Sequence, residues 1–438
     1  LNHKTFSLQT LGCRVNQYES SYVIEAMAQA GCHVVDSRRQ ADITLVHSCA
    51  VTSRASFETR QLLRRARRGN PNGLVIAMGC DANLEWERMA SEGLATHVLG
   101  NREKFDIVRW VTESGTFQNP CVAVSDPRKT HAFREIHVHE MATGRTRAVM
   151  KVQDGCNAFC SYCIVPYTRG CSRSLSPSAV RSQLDRFLEH GFQEVVLSGI
   201  HLGQWGRDLA TPLNLASLFR QLKSGPLPQR IRLSSLEPLE WTQELITELS
   251  RTPEICQHFH IPLQSGDDEI LNKMQRPYGV ALYRELIEDM HRCFPDAAIG
   301  ADVLVGFPGE TDFQFENTLS LLRELPLSYL HVFPFSARPG TPASTMKGAT
   351  DGRTLKTRCR VLRELSVQKR REFAQKFMGS ELEVLVEKQD PMGNWQGTSD
   401  NYLKITFPAS SGLGPGSVVP VRLMELSSHG LKGEVRAP

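Results

Sequence analysis

Gln153-Asp154-Gly155-Cys156-Asn157-Ala158-Phe159-Cys160-Ser161-Tyr162-Cys163 sets three cysteines at the spacing C-x3-C-x2-C, directly after an apolar stretch that reads as a strand. Three thiolates this close along one loop can hold three irons of a [4Fe–4S] cluster, which ordinarily takes four cysteines. The fourth iron is then open to the amino and carboxylate groups of S-adenosylmethionine (SAM), whose radical chemistry belongs to the cofactor. Zinc is the competing occupant. A structural zinc site takes four protein ligands, however, and no paired fourth ligand lies nearby at finger spacing, with Cys171 the next thiol along.

The strand before this loop opens a series. Strands are expected at roughly 147–152, 194–198, 230–234, 257–262, 298–304 and 328–334, with helical stretches between most of them. One helix start is marked by Ser176 as N-cap and Pro177 at the first helical position, and its end by Gly191. Six such units fall short of the eight that close a TIM barrel, so a partial (β/α)6 barrel is expected over residues 141–375.

On the N-terminal side, residues 1–115 also alternate strand and helix, the pattern of a doubly wound parallel sheet. Phe6–Leu11, Ile43–His47 and Leu74–Met78 read as strands, and Asn16 with Glu19 reads as a capping box opening the first helix, which Gly31 closes. Cys13, Cys49 and Cys80 each lie just past one of these strands. In a parallel sheet the strand C-termini share one edge, where ligands bind. Any one of the three reads equally as a small buried residue. Together they point to a second three-cysteine cluster. The other cysteines, at 32, 121, 171, 256, 293 and 359, share no placement and read as incidental.

Residues 116–140 lose the alternation and read as a linker. Residues 376–438 hold short strands between Gly, Pro, Asn and Ser, the pattern of a small five-stranded barrel; such barrels often bind RNA, although fold alone does not establish it.

The 438 residues exceed one core, so two or three domains are expected. No run of 18 apolar residues reads as a membrane span, and Leu1-Asn2-His3-Lys4 leads straight into a strand-like stretch without the look of a signal peptide. The expectation is a cytoplasmic protein, and nothing indicates more than a monomer. The net charge of +4 says little, but Arg60, Arg64, Arg65, Arg67 and Arg68 crowd one helix and Lys369, Arg370 and Arg371 another. Such clusters can neutralise phosphates, or be no more than solvated faces.

With both cysteine triplets placed, the chain resembles the radical SAM methylthiotransferases along essentially its whole length. The likeness rests on Leu11-Gly12-Cys13-Arg14-Val15-Asn16-Gln17-Tyr18-Glu19-Ser20, Ser48-Cys49-Ala50-Val51-Thr52, Gly79-Cys80 and Val165-Pro166-Tyr167-Thr168-Arg169-Gly170. It continues in His260-Ile261-Pro262-Leu263-Gln264-Ser265-Gly266, Gly306-Phe307-Pro308-Gly309-Glu310-Thr311 and Arg338-Pro339-Gly340-Thr341-Pro342. Arg14-Val15-Asn16-Gln17 is similar to the type that acts on N6-threonylcarbamoyladenosine at position 37 of tRNA. It departs from the Gln-Met-Asn and Pro-Lys-Asn of the types acting on isopentenyladenosine and on a ribosomal-protein aspartate.

The resemblance implies two [4Fe–4S] clusters, SAM as both methyl donor and radical source, the anticodon loop of tRNA as partner, a low-potential electron donor, and a C-terminal TRAM domain that binds RNA. It also implies contacts to SAM from Ser198 and Gly199 after the second barrel strand, Glu237 after the third, Gln264 and Ser265 after the fourth, and Asp302 and Gly306 at the fifth. His47, His201 and His260 read as structural histidines. Two other substrates stay open, isopentenyladenosine and the ribosomal-protein aspartate, as does a non-catalytic iron–sulfur RNA-binding protein.

Overall fold

The computed structural model describes residues 3–37, 39–114, 120–141, 144–409, 412–427 and 430–435. It divides into two compact units, each assembled from separate segments. One comprises Leu1–Thr143, Lys151–Leu175 and Ser336–Ser344, the other Gly144–Met150, Ser176–Phe335 and Thr345–Pro438. The grouping cuts across the three-way division expected from sequence, because the cysteine loop packs with the N-terminal sheet and the C-terminal barrel with the (β/α) core.

The first unit is built on six parallel strands: β1 Thr5–Thr10, β2 His33–Val34, β3 Ile43–Ser48, β4 Leu74–Gly79, β5 His97–Leu99 and β6 Cys121–Ala123. Their order is β2-β1-β3-β4-β5-β6. The order reverses between β1 and β3, the switch point at which ligands bind in doubly wound sheets. One face of the sheet buries Phe6, Leu45, Ile76 and Leu99 under α1, Arg14–Gln29. The other buries Val46, Val75, Ala77 and Val98 with Leu63 of α2, Ser53–Gly69. This is the alternation that a sheet covered on both sides requires. β6 is a correction: it adds an edge strand from within the stretch expected as a linker.

The first helix is a second correction. Its N-cap is Cys13, with no side-chain cap, and Asn16 and Glu19 lie inside the helix on its buried face. The local Asn-x-x-Glu pattern imitates a capping box while both side chains face inward to distant partners.

In the second unit the expected strands all form: β7 Arg147–Lys151, then, beyond the antiparallel pair β8 Gln153–Asp154 and β9 Arg173–Ser174 that belongs to the first unit, β10 Glu194–Ser198, β11 Arg230–Leu233, β12 His258–His260, β13 Ala298–Val305 and β14 Tyr329–Pro334. Two three-stranded sheets, β11-β10-β7 and β12-β13-β14, join where Ile231 bridges to Ile255, giving six strands in chain order. Ser176 caps the helix Pro177–Glu189 by accepting from the Ala179 N–H, as expected.

β15 Glu381–Gln389, β16 Trp395–Ser399, β17 Lys404–Phe407, β18 Val418–Ser427 and β19 Gly430–Val435 close into a barrel. Its core of Val384, Trp395, Ile405 and Val421 continues onto Phe373 and Phe377 at the end of the long helix Gly352–Gln375. The β16–β17 turn caps the core: Arg232 donates to the carbonyls of Asp400 (2.9 Å) and Ser399 (3.2 Å), and Tyr402 stacks on His258 with centroids 4.1 Å apart. Arg232 is in turn held by the buried Glu194 at 2.7 Å.

Candidate metal centre

Cys13, Cys49 and Cys80 stand at the C-terminal ends of three adjacent parallel strands, β1, β3 and β4. Cys13 is exposed, and Cys49 and Cys80 are buried. Gly12 allows the approach. Its φ is +94°, and a Cβ there would lie 2.8 Å from Cys49 Sγ, so any side chain would push the two cysteine loops apart. The Ser48 hydroxyl accepts from the Asp81 and Ala82 N–H groups at 3.1 Å, tying the start of α3, Cys80–Leu84, to the end of β3. Asn16 Nδ2 donates to the carbonyls of Leu11 (2.8 Å) and Ser48 (3.1 Å), joining the turns that carry Cys13 and Cys49. Burial pushes the Cys49 thiol up to about 12, with the Cys80 and Cys13 sulfurs adding to the rise. Three sulfur donors side by side form a set suited to a soft, positively charged metal group.

The second triplet lies in the same unit. Cys160 is buried, Cys156 and Cys163 half-buried. The loop is held at both ends: Cys156 N–H donates to the Gly170 carbonyl at 3.0 Å, and Cys163 N–H to Cys160 O at 2.9 Å. The Ala158 N–H points at Cys156 Sγ from 3.4 Å. Gly155, at φ +75°, leaves no room for a Cβ, which would sit 1.9 Å from the Cys171 carbonyl. The two triplets are neighbours through their flanks: Ile164, which follows Cys163, packs on Cys80 and on Ala50, which follows Cys49. Asn101 Nδ2 spans 2.7 Å to the Thr168 carbonyl and 3.5 Å to Cys80 Sγ.

A buried polar group that sequence reading missed underlies both. Arg169 Nη1 donates to Glu19 Oε1 (3.1 Å) and Asp154 Oδ1 (2.9 Å), and its Nη2 to Asn16 Oδ1 (2.6 Å) and Glu19 Oε2 (3.1 Å). Lys104 and Lys151 reach the two Glu19 oxygens at 2.7 and 2.8 Å. Burial works to raise the Glu19 carboxyl, and Arg169, Lys104 and Lys151 overcome it and hold it well below the usual carboxylate range. Asn16, Glu19 and Arg169 all stand in the family-like motifs, which was the available signal. A third such motif supplies Arg338, whose Nη2 donates to Ser56 Oγ at 2.9 Å, 3.7 Å from the Asp81 carboxylate.

The residues expected to meet SAM belong to the second unit. Ser198 ends β10, and the Gly199 N–H points to Ser234 Oγ at 3.4 Å. Glu237 pairs with Arg276, its carboxyl raised by burial despite that partner. Gln264 is held at φ +69° and bridges to Val303. Ser265 Oγ accepts from the Asp267 N–H, and the Gly306 N–H donates to Glu310 at 2.9 Å. Asp302 Oδ1 lies 3.2 Å from His260 Nε2 and 3.3 Å from His331 Nδ1, on neighbouring strands.

Of the five clustered arginines on α2, Arg65 and Arg68 are exposed. Arg60 is half-buried, Arg64 pairs with Glu92 at 2.9 Å, and Arg67 donates to the Pro71 carbonyl. The other basic cluster is a correction: Lys369 is buried and donates to the carbonyls of Arg323 and Leu325, leaving Arg370 and Arg371 exposed. No helix among the described residues is long and apolar enough to cross a membrane.

Residues 5–100 match the family described as Uncharacterized protein family UPF0004, and residues 150–322 match the Radical SAM superfamily. The chain is 34% identical to the threonylcarbamoyladenosine tRNA methylthiotransferase MtaB of Bacillus subtilis (strain 168), covering 96% of this chain and 94% of that protein. It is 35% identical to the protein of the same name from Aquifex aeolicus (strain VF5), over 91% and 95% of the two chains. Among solved structures, the radical SAM methyltransferase TsrM from Kitasatospora setae aligns with a TM-score of 0.56 at 15% identity, over 78% of this chain and 75% of that one. The cobalamin-dependent radical SAM enzyme OxsB aligns at 0.51 and 12%, over 85% and 56%. These two likenesses bear on the fold alone.

Proposed function

Since the chain belongs to the radical SAM tRNA methylthiotransferases of the MtaB group, we infer that it places a methylthio group on C2 of N6-threonylcarbamoyladenosine at position 37 of tRNA. The observation that carries this reading is the meeting of Cys13, Cys49 and Cys80 at three adjacent strand ends, in one compact unit with the C-x3-C-x2-C loop. Membership of the radical SAM superfamily implies a [4Fe–4S] cluster and SAM.

The donor chemistry fits two clusters, one held by Cys156, Cys160 and Cys163 and one by Cys13, Cys49 and Cys80, since each set is all sulfur and one thiolate short of full ligation. When bound, these groups and SAM supply the one-electron cleavage of SAM, the methyl group, and a place for the sulfur to be inserted. The chain's own part is to hold and orient. Gly12 and Asn16 keep the Cys13 and Cys49 turns together, the Ser48 hydroxyl ties in the segment that begins at Cys80, and Gly155 and the Gly170 carbonyl shape the loop of the second three.

On the SAM side, the contacts we propose are Ser198, Gly199, Glu237, Gln264, Ser265, Asp302 and Gly306, although the Gly199 and Gly306 N–H groups, the Ser265 hydroxyl and the Glu237 and Asp302 carboxylates also have partners within the fold. For RNA, Arg65 and Arg68 offer cations to phosphates, with Arg60, Arg64 and Arg67 beside them, and the C-terminal barrel is consistent with a TRAM domain. An adenine in a single-stranded loop is extruded at little cost compared with a paired base. The reaction calls for a low-potential electron donor, and we place it in the cytoplasm with a monomeric enzyme.

The test is mass spectrometry of tRNA nucleosides from cells lacking the gene. Selective loss of methylthiolated threonylcarbamoyladenosine supports the reading. Loss of the isopentenyladenosine derivative instead, or an unchanged tRNA profile, overturns it.

A further inference from the structure

The buried group around Glu19 carries more positive than negative charge. Lys104, Lys151, Arg169 and Arg173, all at most 7% exposed, converge on two carboxylates, Glu19 and Asp154. Buried cations that outnumber their counter-charges are strongly destabilising, and the surplus calls for an anion close by. Next to it stand the cysteines. Arg169 bonds Asn16, whose Oδ1 lies 3.9 Å from Cys13 Sγ. Lys104 Nζ donates at 2.7 Å to Asn101, whose amide nitrogen reaches Cys80 Sγ at 3.5 Å. On its other side Arg169 bonds Asp154 Oδ1, which also accepts the N–H of Gly155, the residue before Cys156.

We propose that Arg169 is a positioning residue that supplies buried counter-charge, together with Lys104, to the metal cluster on Cys13, Cys49 and Cys80, and ties the Cys156 loop to that cluster. The proposal rests on the cluster assignment above. A cluster ligated by thiolates gains negative charge on reduction, and its potential follows the charge and hydrogen bonding around it. A fixed cation at this place therefore favours the reduced form, and its removal moves the potential to more negative values. Arg169 and Asn16 come from separate motifs 153 positions apart, so one side chain both joins the two halves of the site and sets the electrostatics of one of them.

The experiment uses the full chain, prepared anaerobically with Cys156, Cys160 and Cys163 replaced by alanine so that one cluster remains. Its potential is followed by EPR during titration with dithionite. Arg169→Gln should keep its iron and shift the reduction equilibrium at least tenfold towards the oxidised form, about 59 mV for one electron. Arg169→Lys, which keeps the charge, should stay within about threefold of the parent. Should Arg169→Gln fail to fold, Lys104→Gln reads the same charge and is expected to shift the same way. Full iron with an unmoved potential in whichever of these two neutral variants folds overturns the proposal. A parent background that binds no iron overturns the cluster assignment instead, and the proposal with it.

Discussion

Glu19 and Arg169, 150 residues apart in the chain, meet through both guanidinium terminal nitrogens at 3.1 Å in a place closed to water. The pair links the helix that Cys13 caps to the segment that follows the C-x3-C-x2-C loop. Truncating one partner of a buried ion pair leaves the other uncompensated, at a cost of about 3–5 kcal/mol. Glu19→Gln should therefore lower the free energy of unfolding by that order, seen as a lower urea midpoint at unchanged slope. A midpoint unchanged from the parent would remove this pair from the structural core.

Gly155 has no alternative. A Cβ would overlap the Cys171 carbonyl, and the residue sits at positive φ. Gly155→Ala should therefore displace the loop of the second triplet and lose the iron it holds, while Cys13, Cys49 and Cys80 keep theirs. If each triplet holds one [4Fe–4S] cluster, iron and sulfide analysis of anaerobic protein should show about half the parent content. Full content would mean that the loop tolerates the strain.

Acid should loosen the second unit through Glu194. Burial works to raise this carboxyl, and Arg232, Arg147 and Arg230 overcome it and hold it below its usual value. A carboxylate lowered in the folded state contributes its stabilisation above the unfolded value of about 4.3, and that contribution disappears as pH falls through the lowered one. Glu194→Gln should be less stable than the parent by a constant margin between about pH 6 and 8, the gap closing below about pH 4.3. Thermal melts across this range check it. A gap that instead widened in acid would reverse the sign argued here.

If Arg65 and Arg68 meet tRNA phosphates, replacing either with alanine should weaken binding whatever the sequence and flatten the salt dependence by roughly one unit of slope per lost contact. Arg64, already paired with Glu92, should matter less. Filter binding at several salt concentrations separates these outcomes, and an unaltered slope would return α2 to being a solvated face.

β1, β3 and β4 and the strands of the (β/α) core could be read from the chain because buried parallel strands are short apolar runs with few local rivals, whereas β2, β5 and β6 are too short to carry such a run; three cysteines falling at equivalent strand ends made the first site visible. What could not be read was anything settled by distant partners. Asn16 and Glu19 carry a correct local signature for a helix start, yet Arg169 and Lys104 draw them into the interior. Lys369 belongs to a basic run by sequence and to the carbonyls of Arg323 and Leu325 in space. Arg232 and Glu194, buried charges in barrel strands, find each other across neighbouring strands that are 38 residues apart in sequence.

The most direct measurement gives the anaerobically reconstituted enzyme SAM, a reductant and tRNA that carries N6-threonylcarbamoyladenosine, then digests the tRNA and weighs its nucleosides. The expected product is that nucleoside bearing a methylthio group, formed along with 5′-deoxyadenosine, and absent when Cys13, Cys49 and Cys80 are replaced by alanine. Deoxyadenosine without any methylthiolated nucleoside, or the same product from the alanine variant, would contradict the assignment of sulfur insertion to the two cysteine sets.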